Sequence, residues 1–128
     1  MIKGIACHAI WSEDAKKLGA FYRDVLGLKQ TFMEGEDPAE SEAMGYYAFD
    51  GGNDTWVGLG THSEVKGRAS DPYRHMLGLL VDDVKAEHER LKAKGVEFIE
   101  EPTEYGGGSW IATLKDPEGN LIQLFQMP

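Results

Sequence analysis

The chain has 128 residues, with 22 acidic and 13 basic side chains and a formal net charge of −9. This charge argues against binding to nucleic acid or to an anionic membrane surface, since both require a basic face. Apolar residues make up 41% of the chain, which is too many for a disordered acidic protein, and the lone Cys7 excludes an intrachain disulfide and a cysteine-rich zinc site.

The first half of the chain predicts a strand, a helix and three further strands. Residues 2–11 are short, apolar and rich in branched side chains, as in a strand. Ser12 follows as a candidate helix N-cap, and Gly27 ends the helix. The apolar stripe of this helix comprises Leu18, Phe21, Tyr22 and Val25. Strands are predicted over 28–33, 44–49 and 55–59, with an acidic loop over 34–42 and a turn over 50–54.

The second half repeats this order after a connector over residues 61–73. Asp82 and Asp83 open a helix with Val84, His88 and Leu91 on one face, and Gly95 ends it. Strands are predicted over 75–81, 96–99, 109–114 and 121–126, with a loop over 102–108 and a turn over 116–120.

The chain therefore reads as two βαβββ modules. The helix-opening Asp14 and Asp83 and the helix-ending Gly27 and Gly95 recur at nearly the same spacing. Neither module can bury its sheet alone, so the two should pair within one α+β domain. We expect a single domain over 1–128, with module one at 1–60, the connector at 61–73 and module two at 74–128.

Four strings in this order resemble the vicinal oxygen chelate superfamily, which includes glyoxalase I, bleomycin and fosfomycin resistance proteins and extradiol dioxygenases. The strings are Phe21-Tyr22-Arg23-Asp24-Val25-Leu26-Gly27-Leu28, Val81-Asp82-Asp83-Val84, Leu91-Lys92-Ala93-Lys94-Gly95-Val96 and Asp116-Pro117-Glu118-Gly119-Asn120. The resemblance implies two paired βαβββ modules that form a curled mixed sheet around a ligand cavity. It also implies a divalent metal in many members and, commonly, a homodimer.

The resemblance places four metal-ligand positions at Cys7, Gly58, Met76 and Gln123. Members that bind a metal commonly carry histidine and glutamate there. A hard or borderline divalent ion prefers imidazole and carboxylate ligands, which this set lacks. We therefore predict no metal and no other cofactor, with a divalent metal as the less favoured alternative.

Histidines near these positions keep the metal alternative open. His8 and His75 each lie one residue away, and a shift of one residue moves a strand side chain to the opposite face. His75 shares its face with Leu77 and Leu79, which suits packing under a helix better than ligation. His62, in the connector, is a weaker candidate ligand.

His62 and Arg74 are also weak candidates for catalysis. A histidine titrates near neutral pH, and an arginine can clamp a carboxylate or phosphate. The alternative for both is an ordinary solvated side chain.

The aromatic residues predict a ligand cavity. By strand alternation, Cys7 and Trp11 share one face of the first strand, and Trp56 and Gly58 share one face of the fourth. The full set predicted to line the cavity is Cys7, Trp11, Tyr47, Trp56, Gly58, Met76, Trp110 and Gln123. Such a pocket suits a flat or apolar small molecule, although these rings could equally just fill the interior.

These observations predict a small-molecule-binding protein with an aromatic-lined cup and a degenerate metal site. One alternative is a metal-dependent lyase, isomerase or dioxygenase of glyoxalase type, so enzymatic activity stays open. Another is a resistance protein that sequesters a drug, since the acidic charge suits a cationic one. No apolar run approaches the about 20 residues of a membrane span, and we expect a cytoplasmic location.

Overall fold

The computed structural model describes residues 1–32 and 35–128, which form two compact units, Met1–Gly67 and Arg68–Pro128. Each unit is a four-stranded mixed sheet with a helix on one face. The α+β class and the repeated module predicted from the sequence are confirmed. No helix among the described residues has the length and apolar character needed to cross a membrane.

The first unit carries sheet 1. Its elements are β1 (Cys7–Ser12), α1 (Ala15–Ala20), β2 (Gln30–Thr31), α2 (Pro38–Ala43), β3 (Tyr46–Gly52) and β4 (Thr55–Thr61). The strand order is β1-β4-β3-β2, with β1 parallel to β4 and the other pairs antiparallel. The residues Phe21–Val25 continue α1 as a wider π-helical turn.

The packing of α1 defines the two faces of sheet 1. Leu18 and Tyr22 are fully buried, and the Tyr22 ring stacks on Phe49 of β3 with centroids 6.4 Å apart. We call the side that contacts the helix the helix-packed face and the opposite side the distal face. The same two names apply to the sheet of the second unit.

The start of the first unit differs from the sequence prediction. β1 begins at Cys7 rather than at residue 2, because its first β4 partner is Trp56. The helix N-cap is Asp14, whose carboxylate accepts a hydrogen bond from the Lys17 N–H at 3.4 Å. Ser12 instead ends β1, and its hydroxyl accepts a hydrogen bond from the Asp14 N–H at 2.9 Å.

The segment after α1 also differs. Only Gln30–Thr31 of the predicted strand 28–33 pairs as β2, and Met33, like Glu34 of the predicted acidic loop, lies outside the described residues. Much of that loop is the helix α2, because Asp37 caps its first turn and Pro38 supplies a helical φ at its first position.

The second unit carries sheet 2. Its elements are β5 (Met76–Leu80), α3 (Val84–Ala93), β6 (Phe98–Glu104), β7 (Trp110–Lys115) and β8 (Leu121–Gln126). The strand order is β5-β8-β7-β6, again with the first pair parallel. Asp83 caps α3 through a 3.1 Å hydrogen bond from the Ala86 N–H, as the sequence suggested.

The predicted bounds of one strand in the second unit, 96–99, are wrong at both ends, since β6 begins at Phe98. β6 runs to Glu104, whereas the sequence predicted a loop from Pro102. β6 is an edge strand with register shifts between Phe98 and Thr103, and an edge strand tolerates a proline that a central strand would not.

Candidate functional site

Strand register places several of the predicted site residues on the distal face of sheet 1. Cys7 of β1 lies beside Trp56 of β4, and Trp11 lies beside Gly60. Gly58 follows Trp56 by two residues and so shares its face. This group faces away from α1.

Two glycines of β4 make room for aromatic rings on this face. A Cβ atom on Gly60 would lie 2.7 Å from Cε3 of Trp11, and one on Gly58 would lie 3.0 Å from Oη of Tyr46. The distance at Gly60 is too short for a side chain and the one at Gly58 would be a tight contact, so the rings lie directly against the strand. The Trp11 side chain remains 48% exposed, and its ring meets that of His62 edge-on at 5.5 Å.

A cavity of about 310 Å³ opens beside these rings within the first unit. Its walls come from the distal face of β2, β3 and β4, the segment after β2 and the turn between β3 and β4. The lining residues are Thr31, Phe32, Glu36, Tyr46, Ala48, Asp50, Asp54, Thr55 and Trp56. The cavity therefore combines three aromatic side chains, three carboxylates and the hydroxyls of two threonines and a tyrosine.

The carboxylates of this cavity are held by local contacts. Asp50 accepts a 2.8 Å hydrogen bond from the Gly52 N–H, and Glu36 accepts one from the Ser41 hydroxyl. Asp54 lies in the two-residue turn of the hairpin with a φ of +59°. No lysine or arginine of the described residues lines the cavity.

Tyr47 was predicted to line the ligand cavity, but it lies on the helix-packed face. It is only 3% exposed, and its ring packs so close to α1 that a Cβ on Gly19 would lie 3.3 Å away. Burial, with a contribution from the Glu42 carboxylate, raises the pKa of the Tyr47 hydroxyl. The prediction was wrong by one residue, since the neighbouring Tyr46 faces the cavity.

Trp110 was also assigned to the wrong face. It lies beside Gln126, whose side-chain oxygen accepts a 2.9 Å hydrogen bond from the Val84 N–H at the start of α3. The Lys85 ammonium group of the same helix lies 4.0 Å from the Trp110 ring centroid. Trp110 therefore covers α3 rather than a distal-face cavity.

The candidate catalytic side chains do not line the cavity. His62 is exposed, and its Nδ1 atom accepts a 3.1 Å hydrogen bond from the Glu64 N–H. Arg74 is exposed and forms an ion pair with Asp71 at 2.9 Å.

The other two candidate metal ligands, His8 and His75, do not line the cavity either. His8 alternates with Cys7 along β1 and so falls on the helix-packed side, where it is half-buried. His75 is exposed and immediately precedes β5.

The four positions that the family resemblance assigns to a metal divide between the sheets. Cys7 and Gly58 lie on the distal face of sheet 1, and Met76 and Gln123 lie on that of sheet 2. A thiol, a thioether, a neutral amide and a glycine do not fit a hard or borderline divalent ion. Within residues 1–32 and 35–128, no three His, Cys, Asp or Glu side chains form a group that could hold a metal.

The distal face of sheet 2 carries a polar cluster that the sequence did not suggest. Glu100 accepts hydrogen bonds from the Tyr105 hydroxyl at 2.8 Å and from the Thr113 hydroxyl at 3.3 Å. The hydrogen bond that the Tyr105 hydroxyl donates to Glu100 raises the pKa of Tyr105. Thr113 lies directly across from Gln123, so this amide has a polar neighbour on its own sheet.

The sequence assigned Asp50 to a turn over 50–54, whereas it belongs to β3, which runs to Gly52. The register of the β3–β4 hairpin places Asp50 opposite Trp56. Asn53 and Asp54 both have positive φ, as a two-residue type I′ turn requires. A turn limited to these two residues would have extended the predicted strand and placed Asp50 beside the tryptophan.

Comparisons with known proteins agree with this fold. The chain matches the family model of the Glyoxalase/Bleomycin resistance protein/Dioxygenase superfamily over residues 4–124. It is similar to the uncharacterized protein YraH of Bacillus subtilis (strain 168), with 31% identity over 126 residues, covering 89% of this chain and 91% of YraH. It is also similar to the uncharacterized protein YetH of the same organism, with 27% identity, covering 97% and 98% of the two chains.

A solved structure shares the architecture. The crystal structure of a glyoxalase/dioxygenase from Nostoc punctiforme matches with a TM-score of 0.79 and 17% identity, covering 98% of this chain and 92% of that chain. At this identity the likeness concerns the fold alone. The family match, which spans nearly the whole length, is what decides membership: the chain belongs to the glyoxalase/bleomycin resistance protein/dioxygenase superfamily.

Proposed function

We propose that this protein binds a small organic molecule in the cavity of the first unit and that it does so without a metal ion. The observation that carries the proposal is the 310 Å³ cavity walled by Tyr46, Trp56 and Phe32. Its volume is at the lower end of the about 300–1,000 Å³ typical of ligand pockets. Aromatic walls with a few polar groups are the usual lining of such pockets.

The residues at the four positions where a metal would be expected support a function that needs no metal ion. The superfamily often uses a divalent ion, but Cys7, Gly58, Met76 and Gln123 offer it neither imidazole nor carboxylate. Binding would then depend on ring contacts and hydrogen bonds rather than on chelation. Ligand recognition of this kind needs no reaction, so a binding protein is the simplest function for the site.

Native mass spectrometry of protein purified without an affinity tag tests the proposal. We expect an added organic mass that disappears under denaturing conditions, together with a metal content well below one ion per chain. Stoichiometric zinc, nickel, manganese or iron would contradict the proposal and favour the metal-dependent alternative.

A matched pair of variants tests the location. Ala9 and Ala48 flank Gly58 in one row across sheet 1, but only Ala48 lines the cavity. Ala48→Leu should therefore displace the bound mass, whereas Ala9→Leu should retain it. Equal loss in both variants would place the ligand elsewhere.

A further inference from the structure

We propose that the cavity of the first unit selects small organic cations that carry an apolar body, such as an aromatic amine or a quaternary ammonium compound. This inference rests on the proposed function, because it names the ligand class of the same site. Three features of the cavity carry it, namely its carboxylates, its aromatic rings and a lining whose described residues include no lysine or arginine.

The carboxylates of Glu36, Asp50 and Asp54 line a single cavity of about 310 Å³. Like charges that line one cavity repel one another. A bound cation relieves this repulsion. The described residues of the lining supply no lysine or arginine that would do so within the protein.

Aromatic rings supply the second feature. Tyr46 and Trp56 flank the same space on the distal face, and Phe32 closes it from the segment after β2. The face of an aromatic ring attracts a cation, and tryptophan does so most strongly. The combination of rings and carboxylates therefore suits a ligand with a positive charge close to an apolar surface.

The same side chains exclude other ligand classes. An anionic ligand would lie beside three carboxylates of the same charge, which disfavours its binding. A neutral apolar ligand would displace water from the carboxylates without offering them a positive charge, and this also costs binding free energy. The charge of the cavity therefore favours cations over neutral and anionic ligands.

Calorimetric titration with three matched probes tests the proposal. Benzyltrimethylammonium is the cation, neopentylbenzene is its neutral isostere, and phenylacetate is an anion of similar size. We expect binding of the cation, weaker binding of the neutral compound and no measurable binding of the anion. The affinity for the cation should fall as ionic strength rises, because salt screens the carboxylates.

Two variants locate the binding without disturbing the fold. Asp50→Asn keeps an acceptor for the Gly52 N–H, and Asp54→Gly places glycine where φ is already +59°. Each should weaken cation binding by about five- to tenfold. Glu64→Gln removes the same charge from an exposed loop of the first unit outside the cavity, and it should change the affinity by less than about twofold.

The outcomes separate this inference from the proposed function. Equal or tighter binding of the neutral or anionic probe would overturn the cation selectivity and leave small-molecule binding standing. Failure of all three probes to bind, or cation binding that Asp50→Asn and Asp54→Gly leave unchanged, would also overturn the inference. The proposed function falls only if the tag-free protein carries a stoichiometric metal or no organic mass at all.

Discussion

Tyr46 and Tyr47 are adjacent in β3 and serve opposite faces of sheet 1. The Tyr46 hydroxyl lies over Gly58 at the cavity, while the Tyr47 ring packs against Gly19 of α1. Because the side chains of a strand alternate, only one of two neighbouring tyrosines can reach the cavity. Because both residues are tyrosines, the residue type alone does not indicate which of them faces the cavity.

Tyr47→Phe should stabilise the protein near neutral pH. It should also reduce the loss of folding stability at alkaline pH. Among the described residues the buried Tyr47 hydroxyl has no hydrogen-bond partner, so its removal should gain about 1 kcal/mol. Burial raises the pKa of this group above the ordinary value of 10.0 in the folded state. Ionisation of Tyr47 therefore leaves the folding stability unchanged below pH 10.0, and stability falls as pH rises from there through the folded-state pKa.

Urea denaturation at neutral and alkaline pH measures both effects. The alkaline loss of stability should be smaller in Tyr47→Phe and should persist in Tyr46→Phe, which retains Tyr47. A lower stability of Tyr47→Phe at neutral pH would mean that the hydroxyl has a partner in solution.

At the scale of elements, short turns determine how the strands pair. The type I′ turn at Asn53 and Asp54 sets the β3–β4 register that brings Asp50 to Trp56. Glycine is especially favoured at the second position of such a turn, where this chain has Asp54. The carboxylate at this position therefore lines the cavity from a backbone conformation that suits glycine better.

The turn between β7 and β8 depends on one buried carboxylate. Asp116 is 3% exposed and accepts hydrogen bonds from the Glu118 N–H at 2.8 Å, the Asn120 N–H at 3.0 Å and the Asn120 side-chain amide at 2.8 Å. Asp116→Ala leaves these donors without an acceptor and should destabilise the protein by about 2–3 kcal/mol.

The change in stability is measured by urea unfolding. Asp116→Asn keeps one acceptor oxygen and should recover part of the loss. Asp71→Ala, at an exposed ion pair, should cost less than about 1 kcal/mol. Similar losses in Asp116→Ala and Asp71→Ala would contradict the role given to the turn.

At the scale of the molecule, each unit carries two of the four positions where relatives with a metal site would hold the ion. Met76 and Gln123 lie on the same face of sheet 2, on the neighbouring parallel strands β5 and β8. The homodimer implied by the family resemblance stays a prediction, which light scattering checks.

The double variant Met76→His with Gln123→Glu should create a zinc-binding pair within the second unit. It places an imidazole and a carboxylate on adjacent strands, and Zn²⁺ binds both. Zinc at about tenfold its dissociation constant should stabilise this variant by about 1.4 kcal/mol, measured by thermal unfolding. Gln123→Glu alone is the control and should bind zinc more weakly. No gain in the double variant would mean that the two side chains do not converge.

The order of the elements follows from the sequence because local signals specify them. Asp83 and Gly95 bound α3, and β8 covers 121–126 as predicted. Element lengths were less predictable, since pairing extended β6 through Pro102 and left β2 with two residues. Strand length depends on partners that lie far away in the chain, which local composition does not reveal.

The sequence by itself determined the repeated module, the superfamily and the poor donor set at the four metal positions. These depend on residue identity and on spacing along the chain. Only the tertiary structure decided which rings face the cavity and that Glu36, Asp50 and Asp54 line it together. The reason is physical: the face of a strand residue depends on where pairing begins, and a cavity forms where segments distant in the chain meet.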